Sequence, residues 1–243
     1  MATVLVNRPQ ARNALTRAMR GRMLEIFTEL GADREVRVVA LRGAGGKSFI
    51  SGADIGEFDQ LGAAEVLRMA REDEQLYESI ERLPAATVAV IDGYAIGGGL
   101  MLAAICDLRV CTYDSWFGIT SARSLGNALS AGMYARLAAL LGVGRVKEML
   151  IGAELLPATA AQAWGLVHAV HPRNQLDARI TELTERLATH APLTMWAAKE
   201  SMRRLLPSLA EEDDVLRTVA DSEDFREGVA AFMEKRKPTW RNR

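Results

Sequence analysis

Three consecutive glycines, Gly97, Gly98 and Gly99, join an apolar strand-like run (residues 87–91) to an apolar helix-like run (residues 100–104). This junction restricts the chain more than any other stretch. Glycine takes positive φ readily and lets other atoms approach the backbone closely. The start of a helix leaves unpaired N–H groups and the positive end of a dipole. A group bound at such a turn carries, or develops, negative charge on oxygen. A second reading gives the triplet a packing role alone, as a turn that lets the helix sit close to its neighbours.

Around this junction, strand and helix patterns alternate. Strand-like runs cover residues 3–6, 36–41, 87–91, 108–112 and 165–170, while helical spacing of apolar residues marks 16–30, 63–83, 130–141 and 158–163. The pattern predicts an α/β fold. From Leu176 onward no strand signal remains, and helices are predicted over 176–189, 194–206 and 211–234. The expected organisation is a core of residues 1–190 and a helical region of residues 191–243 that packs on the core or on another subunit. Apolar residues make up 49% of the chain, enough for a buried core, and the net charge of −1 supplies no field that would draw in nucleic acid or an anionic membrane. No transmembrane-length apolar run and no basic-then-apolar leader is present, so a cytoplasmic protein is expected. Cys106 and Cys111 fit two buried reduced thiols better than a disulfide.

Several short motifs fail on inspection. Gly43-Ala-Gly-Gly-Lys-Ser48 resembles the end of a phosphate loop, but Leu41 stands where the first glycine is needed and no helix follows. It reads as a turn between strands. The dinucleotide pattern G-x-G-x-x-G, started at Gly97, meets Leu102 at its third glycine position. His168, His171 and His190 have no metal-ligand spacing, and no metal site is expected.

The segment Ser51-Gly-Ala-Asp-Ile-Gly56 follows a strand and can present a backbone N–H into the same cleft as the glycine triplet. Two converging N–H groups, one in a loop and one at a helix start, form an oxyanion hole for a carbonyl becoming an enolate or a tetrahedral anion.

Five segments together carry a family resemblance: NRPQARNAL (7–15), FISGADIGEF (49–58), IDGYAIGGGL (91–100), CDLRV (106–110) and AFMEKRKPTW (231–240). They resemble, in order and over nearly the whole chain, the signature segments of the crotonase superfamily, the enoyl-CoA hydratase/isomerase family. The resemblance implies a spiral of ββα turns with a C-terminal helical region that builds trimers or hexamers. It also implies an acyl-CoA thioester substrate, with CoA arriving as part of that substrate and no separate cofactor. By position, the oxyanion donors are the N–H groups of Ala53 and Gly98. CoA contacts are implied around Ser51, Asp54, Ile55 and Gly56, with Gly97 beside the hole and Phe232 and Lys235 contributing from the tail.

The chain departs from the family at its acid–base groups. Hydratases of the family use two glutamates, and the matching positions here are Met101 and the neighbourhood of Ser121. No Asp or Glu lies between Asp92 and Asp107 or between Asp114 and Glu148. Hydration by the two-glutamate route is therefore expected to be weak or absent. Decarboxylation or another lyase reaction on a dicarboxyl-CoA remains open, with Arg123 as the side chain that grips a distal carboxylate, or as a loop-bracing arginine. A non-catalytic acyl-CoA binder is the third reading. Glu72-Asp73-Glu74 is expected on a solvated helix face, Asp107 as a structural acceptor, and Lys235-Arg236-Lys237 as a phosphate contact or a charged helix end.

Overall fold

Strand β1 (Ala2–Val6) opens the chain, and α1 (Arg17–Ala32) follows, N-capped by the Thr16 hydroxyl, which accepts the Met19 N–H. The computed structural model describes residues 1–59, 61–205 and 213–241. After α1 a unit of two strands and a helix repeats. The first comprises β2 (Val38–Gly43), β3 (Ser48–Ile50) and α2 (Ala63–Glu81). The second comprises β4 (Ala86–Ile91), β5 (Tyr94–Ile96) and α3 (Gly98–Ile105). The third has β6 (Leu108–Thr112), β7 (Trp116–Gly118) and the short α4 (Ser121–Ser124). Beyond it come α5 (Ala131–Leu141), α6 (Val143–Gly152), β8 (Leu156–Pro157), α7 (Ala158–Ala163) and β9 (Ala169–His171). The remaining helices are α8 (Arg173–Ala188), α9 (Pro192–Arg203), α10 (Asp213–Ala220) and α11 (Glu223–Met233).

Each unit sends its first strand to one sheet and its second to another. The larger sheet is parallel, in the order β1-β2-β4-β6-β9, and the smaller runs β3-β5-β7-β8 with only the last pair antiparallel. The chain therefore winds as a spiral of ββα turns. Every residue of β4 (ATVAVI) is buried, because the parallel sheet is covered on both faces. On one face, Leu176, Ile180 and Leu187 of α8 pack against Val38, Val88 and Val110; on the other, Phe27, Ile80, Leu100 and Phe117 belong to the main core.

The buried guanidinium of Arg109 finishes α3. It donates to the carbonyls of Ala103, Ala104 and Cys106 and, through Nε, to Leu166 O at 2.6 Å. A cation at a helix C-terminus satisfies carbonyls that the helix itself leaves open. Asp107 is the structural acceptor expected of it: its Oδ2 accepts from Thr87 N and Oγ1 and pairs with Lys199 at 2.7 Å, tying α9 to the core.

The sequence pattern overreached in three places. The strand expected over 165–170 is only β9, because the N–H groups of Leu166 and Val167 turn back to Ala161 O and close α7. The helix expected over 211–234 breaks before Ser222, whose hydroxyl caps α11 by accepting from Phe225 N. Helix α9 ends at Arg203, and part of the expected 194–206 and 211–234 helices falls outside the described residues. The final helices do not stand apart from the core. Helix α10 packs on α2, and Phe225 of α11 meets Phe58 edge-on with ring centroids 6.1 Å apart.

Candidate active site

β3 and β5 are parallel neighbours, so the chain leaves both at the same end. After β3 it enters Ser51-Gly52-Ala53; after β5 it enters Gly97-Gly98. Gly52 takes φ +104, and a Cβ there would lie 3.3 Å from Ile96 O and 3.7 Å from Gly98 N, so the two turns touch. The glycines of the triplet serve separate ends. Gly97, at φ +55, turns the chain and donates its N–H to Gly118 O; Gly98 begins α3; a Cβ on Gly99 would fall 1.9 Å from Ile50 O.

Leu15 holds the other turn. Its N–H donates to Gly52 O and its carbonyl accepts from Asp54 N, both at 2.9 Å. This bridge clamps the backbone on both sides of Ala53 and leaves the Ala53 N–H unused. Among the described residues, neither the Ala53 N–H nor the Gly98 N–H has a hydrogen-bond partner, and both residues line one cavity of about 1080 Å³. Two free amides on touching turns can share one anionic oxygen.

Of the residues singled out from the sequence, Ser51, Ala53, Asp54, Ile55, Gly97, Gly98, Ser121, Arg123, Phe232 and Lys235 all line this cavity. Two do not. Gly56 lies just off it and donates its N–H to Asp54 Oδ1 at 3.1 Å. Met101 is fully buried in the main core, and Leu102 faces the cavity in its place, because the α3 register turns position 101 inward. Asp54 is already engaged: Arg8 donates to its Oδ2 at 2.6 Å, and this bond, with the Gly56 N–H, holds its carboxyl below the usual range. Arg123 is exposed on the rim, with no ion pair among the described residues. The P-loop-like stretch is a turn between β2 and β3, and no group of three or more metal-ligating side chains occurs among the described residues.

The expectation that Glu72, Asp73 and Glu74 share a solvated face needs correction. Glu72 pairs with Arg17, and Glu74 with Arg136, near the surface. Asp73 instead lines the cavity. Arg20 of α1 meets it there, buried, with Nε 3.2 Å from Asp73 Oδ1. That approach is not aligned as a hydrogen bond, and Asp73 Oδ1 and both terminal nitrogens of Arg20 are sealed from solvent without hydrogen-bond partners. Burial pushes the Asp73 carboxyl up to about 6; Arg20 opposes this, while Glu72 and Glu74 add to it. Tyr77, one turn further along α2, also lines the cavity, and its hydroxyl is 3.8 Å from where a Cβ on Gly98 would stand. Burial, reinforced by Asp73, keeps the Tyr77 phenol protonated.

Arg20 and Tyr77 escaped the sequence reading although the spacing contains them. On α2, Val66, Met69, Asp73, Leu76, Tyr77 and Ile80 follow one helical stripe, and on α1, Arg20, Met23, Phe27 and Leu30 do the same. An acid and a base interrupt the facing apolar stripes of two packed helices. That was the available signal.

The full chain, residues 1–243, matches the enoyl-CoA hydratase/isomerase family. It is 31% identical to the short-chain-enoyl-CoA hydratase of Clostridium acetobutylicum over 242 residues, spanning 98% of this chain and 92% of that one. Among solved structures, it superimposes on an enoyl-CoA hydratase from Mycobacterium avium subsp. paratuberculosis with a TM-score of 0.87, at 31% identity and 99% and 94% coverage. A methylmalonyl-CoA decarboxylase complexed with 2S-carboxypropyl-CoA gives 0.90, at 25% identity and 99% and 95% coverage. The fold, the paired turns and these likenesses define an acyl-CoA-processing enzyme with the crotonase fold. The chain belongs to the enoyl-CoA hydratase/isomerase family of the crotonase superfamily.

Proposed function

We propose that the enzyme works through a thioester enolate whose oxygen rests between the N–H groups of Ala53 and Gly98. One observation carries this reading: the two amides sit on touching turns, lack partners among the described residues, and open on one cavity. Such donors stabilise developing charge by about 3–4 kcal/mol each. CoA enters as part of the substrate, with Ser51 and Ile55 along its adenine and pantetheine and Phe232 and Lys235 contributing from the tail. With Met101 in the core and no acid near Ser121, simple hydration by paired glutamates is expected to be slow. The test is a mass-spectrometric screen of acyl-CoA thioesters in deuterated water, scoring product and α-carbon exchange together. A thioester that binds without product or exchange makes the protein a non-catalytic acyl-CoA binder.

A second reading, decarboxylation or lyase cleavage of a dicarboxyl-CoA, is favoured by Arg123 on the rim, which has no ion pair among the described residues, and by the likeness to a methylmalonyl-CoA decarboxylase. It expects Arg123→Ala to damage turnover of a malonyl-type thioester far more than binding of a monocarboxylic one, and equal effects on both remove it. A homotrimer or hexamer is also proposed. Helix α9 has no fully buried residue and, while Met195 packs partly on the core, it exposes Leu193, Trp196 and Met202. Light scattering should give three or six times the 26.5 kDa chain mass.

A further inference from the structure

We infer that Asp73 is the proton-transferring group of this site, standing on α2 in place of acids at the Met101 and Ser121 positions. The inference rests on the enolate reading above and adds the base that reading lacks. Four observations meet at Asp73. Its helix faces the cavity that holds the two free amides. Its Oδ1 is sealed against Arg20, so Oδ2 is the carboxylate oxygen a bound acyl chain can reach. Tyr77, one turn along, brings the same helix face against Gly98 and marks the direction from oxyanion hole to carboxylate. Among the described residues the one other acid lining the cavity is Asp54, and Arg8 and the Gly56 N–H hydrogen-bond its carboxylate.

In the step assigned to it, Asp73 Oδ2 takes a proton from the carbon next to the thioester carbonyl. The C–H pair becomes the new C=C bond, and the carbonyl π pair moves onto the oxygen held by Ala53 and Gly98. Returning a solvent-derived deuteron from Asp73 to that carbon restores the thioester with one deuterium in place of one hydrogen. Arg20 is a positioning residue here: from α1 its charge holds Oδ1 and leaves Oδ2 for the cavity.

The ionised form is the working form, so exchange should rise with pH and level off above about 6, where burial sets the carboxyl. The groups acting on Asp73 are Arg20 from α1 and Glu72, Glu74 and Tyr77 of its own helix; around them, Arg17 of α1 pairs with Glu72, Glu57 from the turn after Asp54 approaches Arg20, and Arg136 of α5 pairs with Glu74. Arg8, Arg12, Asp54, Arg123 and Lys235 complete the charged lining of the cavity.

The experiment measures butyryl-CoA binding by calorimetry and α-deuterium uptake by mass spectrometry, across pH 5–8, on the full chain. Asp73→Asn should bind within threefold of wild type and exchange about 10²- to 10⁴-fold more slowly, the span of general acid–base assistance. Asp73→Glu should recover part of the rate. Because an unpaired Arg20 could unfold the first variant, Arg20→Met/Asp73→Leu removes both charges at once; it should fold, bind and fail to exchange. Exchange within threefold of wild type in either variant overturns the assignment and leaves the oxyanion hole standing. Wild-type binding without exchange also overturns it. Wild type that binds no thioester overturns the acyl-CoA reading along with it.

Discussion

The free amide of Ala53 can be removed almost alone. Replacing residue 53 by lactic acid, through incorporation of the α-hydroxy acid, turns the Gly52–Ala53 amide into an ester and deletes one N–H while keeping the methyl side chain. Among the described residues that N–H bonds to nothing in the fold, so its loss breaks no internal hydrogen bond. The secondary cost falls on Gly52 O, which accepts the Leu15 N–H at 2.9 Å and becomes a weaker acceptor as an ester. A single hydrogen bond contributes about 0.5–1.5 kcal/mol net, so stability should fall by no more than that. The barrier to enolate formation should rise by about 2.7–4 kcal/mol, a 10²- to 10³-fold loss of rate. Deuterium exchange from butyryl-CoA measures the second quantity, and urea unfolding the first. A folded ester variant that exchanges within threefold of wild type refutes the two-amide cradle.

Two other outcomes are expected. Gly99→Ala should fold poorly or lose about 3 kcal/mol or more in urea unfolding, because its Cβ would sit 1.9 Å from Ile50 O, whereas Gly98→Ala, with its nearest neighbour at 3.8 Å, should stay within about 1 kcal/mol of wild type; equal losses would show that the triplet is not divided as described. Cys106 and Cys111 are buried, and burial pushes both thiols up to about 12, so a colorimetric disulfide reagent at pH 8 should leave both unmodified until denaturant is added; native labelling at the denatured rate would refute that burial.

What could be read from the chain depended on whether the signal was local. The glycine–helix junction at 97–99 and the Gly52-Ala53 turn are local features, and both stand where the pattern put them, but the strand that enters the triplet is β5 (Tyr94–Ile96) in the smaller sheet and not the expected 87–91 run, which is β4. The Leu15 clamp on Ala53 is a pairing 38 residues apart, without a mark in either segment. Asp73 and Arg20 were misread or passed over because a charge in a helix is ordinarily taken for its solvated side, and only the facing of α1 on α2 makes each a buried partner of the other. Leu166 and Val167 look like strand residues by composition, yet their N–H groups are used to end α7. A β-like sequence yielded there to a helix that needed closing.

The two parallel neighbours β3 and β5 hang the two amides from one end of the smaller sheet, while Asp73, Tyr77 and Arg123 arrive on helices. The proposed anion cradle thus inherits the stiffness of a hydrogen-bonded ladder, and the side chains proposed to act beside it do not. A lineage built this way can exchange its acids, bases and charge anchors one helix at a time, trying new reactions, while the proposed seat of the thioester oxygen keeps its shape.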